Sequence, residues 1–310
     1  MGGSVGSFSY TPNSDSLACP GEKSVLSDPI DGVTADKLFE GVEKYIRGGK
    51  TKAGKETEFD LTEKDGAVHI KQVFNIPEIF GGGTHTVFQI YKFDAAKLSI
   101  EHQFFAGPKI FESGTPNTTN RSVIHADPCR VEFWQEAHEV RASGPMLKGM
   151  MEKVLSMMGS KAKAHCDQSS IAVAGKNSVT SDPIDDVSVT ADSYLDFFKG
   201  FLTETMQATE LPDGTIIEER SAMMDVLGIG TKSFAKHVIK MDENHLYCYE
   251  YGEDESLTEM VGVTHVQVHK EPFRLEQWNI QSPGRRAGPS HAGIVKPFID
   301  SILKFLSESS

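Results

Sequence analysis

The apolar positions of this chain follow helical and strand-like periods in turn, and the same succession occurs twice. Apolar residues recur every three or four positions in 38–46 and again in 194–202, which predicts two amphipathic helices. Two further stripes of the same period, at 146–158 and 294–306, follow Gly-Pro dipeptides. They predict a long helix at the end of each succession, because proline is well tolerated in a first helical turn.

Between these helices, alternating apolar and polar residues bounded by turn signals predict antiparallel strands. Asp65-Gly66 and Asp213-Gly214 are the strongest turn signals, because this dipeptide fits a two-residue hairpin. A His-x-acid-Pro tetrad at 125–128, and another at 269–272, predict later turns, since proline cannot donate to a central ladder. Each succession is therefore a strand, a helix, six strands and a C-terminal helix.

The two successions share residues as well as periods, which indicates an internal duplication. Ser24–Asp31 recurs as Ser178–Asp185 with the same Ser-Asp-Pro-Ile-Asp ending. Thr34 and Thr190 each stand at the predicted N-cap of the first helix and are followed by the same Ala-Asp pair. The number of residues between matching positions decreases along the chain. This is expected for a duplication that was followed by insertions and deletions in loops.

This order of elements resembles the helix-grip superfamily, which includes the START-like, Bet v 1-like and polyketide cyclase-like proteins. The resemblance implies an α+β fold of two tandem domains, each a curved seven-stranded antiparallel sheet wrapped on its own long C-terminal helix. It also implies an apolar cavity between sheet and helix. The expected division is a flexible N-terminal tail (1–20), a first domain (21–163), a linker (164–175) and a second domain (176–310).

Composition narrows the classes of function. A net charge of −13 disfavours binding to nucleic acid. The chain has no apolar run long enough to cross a membrane and no signal-peptide core near its start. Four cysteines without CxxC spacing fit reduced thiols, so we expect a cytoplasmic protein without stable membrane insertion. The duplication predicts a monomer that forms an intramolecular pseudo-dimer.

The best-retained motif is Arg-x-Glu-x-Trp on the last predicted strand of each copy. Its period of two places the three side chains on one face. If that face points into the cavity, the residues are candidates for binding a ligand. If it points outward, they are structural, and the apolar residues that alternate with them favour this second interpretation. The candidates are Arg130, Glu132, Trp134, Arg274, Glu276 and Trp278.

Other polar groups give weaker signals, and the sequence predicts no catalytic residue, metal or cofactor. His265 and His269 lie four residues apart on a predicted strand, too far to share one ion. Glu101 and His102 are neighbours on a central strand, so only one of them can face the cavity. Similarly, one member of Tyr249–Tyr251 could face it and polarise a bound ketone.

The leading hypothesis is a binder of a hydrophobic small molecule, such as a lipid, sterol or polyketide, in the cavity between sheet and C-terminal helix. The alternative is an enzyme of the cyclase, dehydratase or hydrolase type acting in the same cavity. A third hypothesis is that one copy has lost its cavity and serves only as an intramolecular partner. The alternative enzyme requires the Arg and Glu residues of the motif to converge with a His or Tyr.

Overall fold

Two antiparallel sheets, one from each half of the chain, form the fold of this computed structural model. The structure describes residues 9–13, 15–52, 54, 56–75, 83–226, 229–252 and 259–308. The strands of the first half are β1 (Tyr10–Asn13), β2 (Ser24–Ser27), β3 (Glu56–Lys64), β4 (Ala67–Asn75), β5 (Thr84–Asp94), β6 (Ser99–Phe105), β7 (Thr118–Ala126), β8 (Cys129–Ala137) and β9 (Arg141–Ala142).

The second half repeats this order. Its strands are β10 (Ala164–Ser169), β11 (Asn177–Ser181), β12 (Thr209–Glu210), β13 (Ile216–Val226), β14 (Ile229–Asp242), β15 (His245–Gly252), β16 (Glu259–Lys270), β17 (Phe273–Gln281) and β18 (Gly284–Arg286). The helices of the whole chain are α1 (Ala35–Arg47), α2 (Pro108–Ser113), α3 (Pro145–Met157), α4 (Tyr194–Gly200) and α5 (Pro289–Glu308). Helix α4 continues as a π-helical turn, Phe201–Thr205.

Sheet 1 has the order β1-β2-β8-β7-β6-β5-β4-β3, and sheet 2 has the equivalent order β10-β11-β17-β16-β15-β14-β13-β12. The predicted α+β class with two tandem antiparallel sheets is confirmed. Each sheet has nine described strands instead of the predicted seven. One extra strand lies before the first predicted one. The other comes from the opposite half of the chain, since β18 pairs with β8 and β9 pairs with β17.

Two segments predicted to lack regular structure contain the additional first strands. Strand β1 lies in the predicted tail and pairs with β2, while β10 lies in the predicted linker and pairs with β11. The repeat therefore starts earlier than the sequence indicated, and Ser16-Leu17-Ala18 corresponds to Ser170-Ile171-Ala172. Residues 1–8 and 14 of the predicted tail lie outside the described residues.

The first predicted helix has a different start in each half. In α1, Thr34 is the N-cap, and its side chain accepts a hydrogen bond from the Lys37 backbone N–H at 3.4 Å, as predicted. In the second half, Thr190 and Ser193 hydrogen-bond to each other, and α4 begins only at Tyr194. The prediction of Thr190 as an N-cap is therefore wrong, because its hydroxyl is used within the preceding turn.

The long helices are exchanged between the two halves. Helix α5, from the end of the chain, buries Val295, Ile299 and Ile302 in the core of sheet 1, together with α1 and residues of β8. Helix α3, from the first half, buries Met151 and Leu155 in the core of sheet 2. The sequence-based expectation that each sheet packs on its own C-terminal helix therefore differs from the structure.

Two arginines, one just before α3 and one just before α5, also contact the opposite half of the molecule. The Arg141 guanidinium lies 4.0 Å from the ring centre of Trp278, and its Nε donates to the Asn177 carbonyl oxygen at 2.8 Å. The Arg285 guanidinium lies 4.1 Å from the ring centre of Trp134, and its Nε donates to the Lys23 carbonyl oxygen at 2.8 Å. Each half thus places one arginine on the tryptophan of the other half, a favourable cation–π arrangement.

None of the helices described is both long and apolar enough to cross a membrane.

The exchange makes a prediction about which sheet loses stability when one helix is altered. Ile302 in α5 is fully buried, so Ile302→Ala is expected to cost about 2–5 kcal/mol. Hydrogen exchange followed by mass spectrometry should reveal the loss of protection in α1, β2 and β8 of the first half.

The matched variant is Leu155→Ala in α3, which should weaken protection in β10, β11 and β17 instead. If Ile302→Ala exposes only strands of sheet 2, the exchange of helices is wrong.

Candidate functional site

The Arg-x-Glu-x-Trp residues lie on the face of each sheet that points away from the helix. In β8, Cys129, Val131 and Phe133 pack into the core with α5, so the alternating residues point to the opposite, outer face. In β17, Phe273 and Leu275 pack into the core with α3, and the motif again points outward. The six predicted residues therefore do not line the space between sheet and helix.

Glu132 is completely buried on that outer face under the loop that connects β1 and β2. Its Oε1 accepts from the Ser16 hydroxyl at 2.5 Å and from the Leu17 N–H at 2.9 Å, and its Oε2 accepts from the Ala18 N–H at 2.9 Å. His125 Nε2 lies 2.8 Å from the same Oε2. The carboxylate therefore holds the loop against the sheet.

Glu276 repeats these contacts in the second half. Its carboxylate accepts from the Ser170 hydroxyl, from the Ile171 N–H at 3.1 Å and from the Ala172 N–H at 2.8 Å. His269 Nε2 lies 2.7 Å from Oε2. Both histidines of the His-x-acid-Pro tetrads thus belong to these carboxylate anchors, and the tetrads form the predicted hairpin turns between β7 and β8 and between β16 and β17.

The hydrogen bonds keep both carboxylates ionised. Burial by itself would raise the pKa of Glu132, but donation from Ser16, His125 and the Ala18 N–H outweighs it and lowers the pKa below its ordinary 4.5. The pKa of Glu276 is lowered from 4.5 in the same way, against the same effect of burial. A carboxylate that accepts several hydrogen bonds is stabilised in its charged form.

The tryptophans of the motif have surroundings that fit a structural role. Trp134 and Trp278 are buried beneath the exchanged arginines. Trp134 also lines an outer-face cleft of about 510 Å³ together with Lys92, Glu101 and Arg121. Arg130 and Arg274 each bury an Nε that has no hydrogen-bond partner among the described residues. Ligand binding by the six motif residues stays a prediction, and the contacts of the glutamates and tryptophans fit the structural alternative.

The inner face of sheet 1, which faces α5, changes from apolar to polar along its strands. The apolar end packs into the core through Val68, Tyr91, Ile100, Ile124 and Val131. Further along the same faces, polar side chains replace them, although these strands are central in the sheet. We call this set the first polar belt, and it comprises Gln72, Gln89, His102, Asn120 and Gln135.

Most side chains of the belt are only partly buried. Gln89, His102, Asn120 and Gln135 are all partly accessible, as is the intervening Phe104 on the same face. Helix α5 begins close to this end of the sheet, since the ring of His291 in its first turn lies 6.1 Å from that of Phe133. The first polar belt therefore lies between sheet 1 and the start of α5.

Two series of hydrogen bonds connect the side chains of the belt. Gln72 Nε2 donates to Glu56 at 2.7 Å, Gln89 donates to Gln72, and the Tyr91 hydroxyl donates to Gln89 at 3.0 Å. In the second series, Gln135 Nε2 donates to Asn120 Oδ1 at 3.0 Å, and Asn120 Nδ2 lies 3.1 Å from His102 Nδ1. The rings of Tyr91 and His102 are stacked with their centres 4.2 Å apart, and this contact links the two series.

These contacts determine the proton on His102. The Asn120 amide nitrogen can only donate, so His102 Nδ1 accepts and the proton of the neutral ring is on Nε2. Burial lowers the pKa of His102 from 6.5 to about 4, which keeps the ring neutral near pH 7. Nε2 is buried and has no hydrogen-bond partner among the described residues. His102 thus presents an unused N–H donor on the inner face.

The inner face of sheet 2 has a second polar belt that overlaps the first in register. It comprises Glu218, His237, Glu250, Thr264 and Asn279, all of them partly accessible. His237 Nδ1 lies 2.8 Å from Glu218 Oε2, and Asn279 Nδ2 donates to Thr264 at 3.1 Å. Glu218 and Glu250, the two neighbours of His237, stand where the neighbours of Gln89 in sheet 1 are Ile70 and Phe104, so the second belt contains carboxylates at positions that are apolar in the first half.

Sequence reasoning identified part of these belts. It recognised that only one of Glu101 and His102 can point inward, and His102 is the one that does. Of Tyr249–Tyr251, the inward residue is Glu250, since it lies opposite His237 in the register. The glutamines and Asn120 were missed, although a polar residue in phase with the core positions of a central strand was an available signal.

Comparisons with known proteins give no assignment of family. No protein-family model matches the chain, and no curated protein matches it. The di-domain aromatase/cyclase StfQ of the steffimycin biosynthetic pathway aligns with 12% identity over 89% of this chain and 93% of its own, at a TM-score of 0.24. The di-domain aromatase/cyclase BexL of the BE-7585A pathway aligns with 11% identity over 92% and 96%, also at 0.24.

The Zhui aromatase/cyclase from Streptomyces sp. R1128 aligns with 13% identity over 49% of this chain and 86% of its own, at a TM-score of 0.27. Superpositions at this level carry no argument about the activity of this chain. Its architecture is defined by its own strand pairing and core contacts.

The buried glutamates lead to a prediction about stability. Glu132→Gln replaces a carboxylate that accepts from four donors by an amide that brings its own N–H into the same space. Hydrogen bonds to charged groups contribute about 1.5–3 kcal/mol each, so we expect a loss of at least about 2 kcal/mol in urea unfolding near neutral pH. Glu276→Gln should behave alike, and the exposed Glu40→Gln should change stability by less than about 0.5 kcal/mol.

The sign of the pH dependence follows from the lowered pKa values. The unfolded chain takes up protons on these carboxylates first, so their contribution is present above the ordinary pKa of 4.5 and is lost as the pH falls through the folded pKa. The wild-type chain should lose more stability than Glu132→Gln on acidification below about pH 4.5. Equal losses would contradict the anchoring role.

Proposed function

We propose that this chain binds a largely apolar small molecule carrying a carbonyl or similar acceptor oxygen, in the space between the first polar belt and α5. The supporting observation is the buried Nε2–H of His102, which has no hydrogen-bond partner in the described part of the chain. An unsatisfied buried donor costs about 1–3 kcal/mol, and a ligand oxygen that accepts from it removes this cost. A role in binding fits this group better than a role as a base. Nδ1 of His102 already accepts from Asn120 and Nε2 carries the proton, so neither ring nitrogen has a free lone pair.

The surroundings of His102 favour an amphipathic ligand. Its ring lies against Tyr91, and Phe104 follows it on the same inner face of β6. Pockets for small molecules are typically apolar with a few polar groups that fix the orientation of the ligand. The hydrophobic ligand expected from the helix-grip resemblance fits this chemistry, with the added requirement of a hydrogen-bond acceptor.

The enzymatic alternative expected from the sequence finds no support at the Arg-x-Glu-x-Trp residues. Glu132 and His125 do converge at 2.8 Å, but the carboxylate oxygens accept from Ser16, Leu17 and Ala18. A substrate would have to displace the loop to reach them. Binding at the inner face is therefore the function that these contacts favour.

The test uses a fluorescent ketone, 6-propionyl-2-(dimethylamino)naphthalene, whose emission responds to hydrogen-bond donors. The wild-type chain should bind it, and His102→Phe should bind it about tenfold more weakly, because it keeps an aromatic ring on Tyr91 and removes the N–H. The matched ligand, 2-(dimethylamino)naphthalene, lacks the ketone and should bind both proteins equally. Fluorescence titration measures both affinities.

A second variant and the pH dependence sharpen this test. His265→Phe, on the outer face against Trp278, should leave the affinity for the ketone unchanged. Since the pKa of His102 is lowered to about 4, the affinity should be constant from about pH 5 to pH 8. The proposal is wrong if His102→Phe binds the ketone as the wild type does, or if neither ligand binds and native mass spectrometry of gently purified protein detects no apolar ligand.

A further inference from the structure

The two polar belts overlap in register but differ in chemistry. Gln89 and His237 each precede the aspartate that ends their strand, Asp94 or Asp242, by the same number of residues. In the first half this position carries an amide that accepts from Tyr91. In the second half it carries an imidazole beside a carboxylate. The second belt therefore has a group that can take up a proton, at the place where the first belt only forms hydrogen bonds.

The contact with Glu218 orients the imidazole of His237. The two residues are direct partners in the register of β13 and β14 and lie on the inner face, where Nδ1 and Oε2 are 2.8 Å apart. Because the carboxylate accepts, Nδ1 carries the proton and the lone pair of the neutral ring is on Nε2. No described residue donates to Nε2. The arrangement has the two features of an oriented general base, namely a free nitrogen and a fixed tautomer.

The pair lies at the edge of the core of sheet 2 and away from bulk solvent. The side chains of His237 and Glu218 are 12% and 15% exposed, and the adjacent inward pair, Ile216 and Ile239, is buried. Glu250 faces His237 from β15 on the other side.

We propose that the second polar belt is a proton-transfer site, in which His237 is the base and Glu218 is a positioning residue. The substrate class is a small, largely apolar molecule with a C–H bond acidified by a neighbouring electron-withdrawing group. His237 Nε2 forms a bond to the proton as the C–H bond breaks, and the electron pair of that bond moves into the substrate to form a new π bond or expel a leaving group. The imidazolium then returns the proton to the leaving group or to water.

This step is balanced without an oxidant, a reductant or a metal ion, and it does not depend on ligand binding in the first half. A probe with the required chemistry is 5-nitro-1,2-benzisoxazole. Removal of the proton on C3 of its isoxazole ring breaks the N–O bond and forms a nitrile, and the ring-opened product, a cyano-nitrophenolate, is coloured. The rate is therefore followed directly by absorbance with the full-length chain.

The wild-type chain should accelerate this elimination, and His237→Gln should reduce the rate at least tenfold, because general base catalysis contributes about 10²–10⁴-fold. The matched control is His165→Gln, an accessible histidine that contacts Asp182 on the surface and should leave the rate unchanged. Circular dichroism of each variant confirms folding. Equal rates for the wild type and His237→Gln would overturn the proposal.

The role of Glu218 has a separate readout that needs no substrate. In the wild type, ¹⁵N shifts of labelled histidine should identify His237 as the tautomer with the proton on Nδ1. Glu218→Ala should shift this ring toward the Nε2–H tautomer and lower the elimination rate, while Glu218→Gln, which still accepts through its amide oxygen, should restore part of both. Finding the Nε2–H tautomer in the wild type would overturn the proposal even if His237→Gln failed to fold.

Discussion

The exchange of helices depends on one constraint. In each half, the connection between the last long strand and the helix that follows is short. Strand β8 ends at Ala137, β9 begins at Arg141 in sheet 2, and α3 begins at Pro145. Since a residue spans at most about 3.6 Å, the chain has no length to return to sheet 1 before α3 starts. The same holds for β17, β18 and α5. Neither half therefore has a complete core without the other.

The reciprocal exchange explains why the Arg-x-Glu-x-Trp motif is present in both halves. In each, the glutamate holds the loop after the first strand, and the tryptophan supports an arginine that arrives from the opposite half. The contacts of one half complete the other. The loss of a motif residue in one copy would weaken the attachment of the other copy, so the repeat of this motif follows from architecture and needs no shared ligand.

The sequence predicted the repeat, the strand order and the long helices, because periodicity and turn residues are local signals. It did not predict the exchange, because α3 and α5 present similar apolar stripes and either would fit either sheet. Period-two alternation placed Glu132 and Trp134 on one face, but which face the helix covers is a tertiary property. The apolar character of Val131 and Phe133 was the signal that favoured the outer placement.

The two halves share the residues that hold the fold together but differ in the residues of the inner face. The residues that attach the loops and the exchanged strands are the same in both, namely Ser, Glu, His, Trp and Arg. Two inner positions are polar in both halves but differ in chemistry, since Gln89 corresponds to His237 and Asn120 to Thr264, although apolar residues would fill a core more favourably. A polar position that varies in chemistry between copies of one scaffold is expected where each copy contacts a different molecule. The outer face therefore maintains the fold, while the inner face distinguishes the two halves.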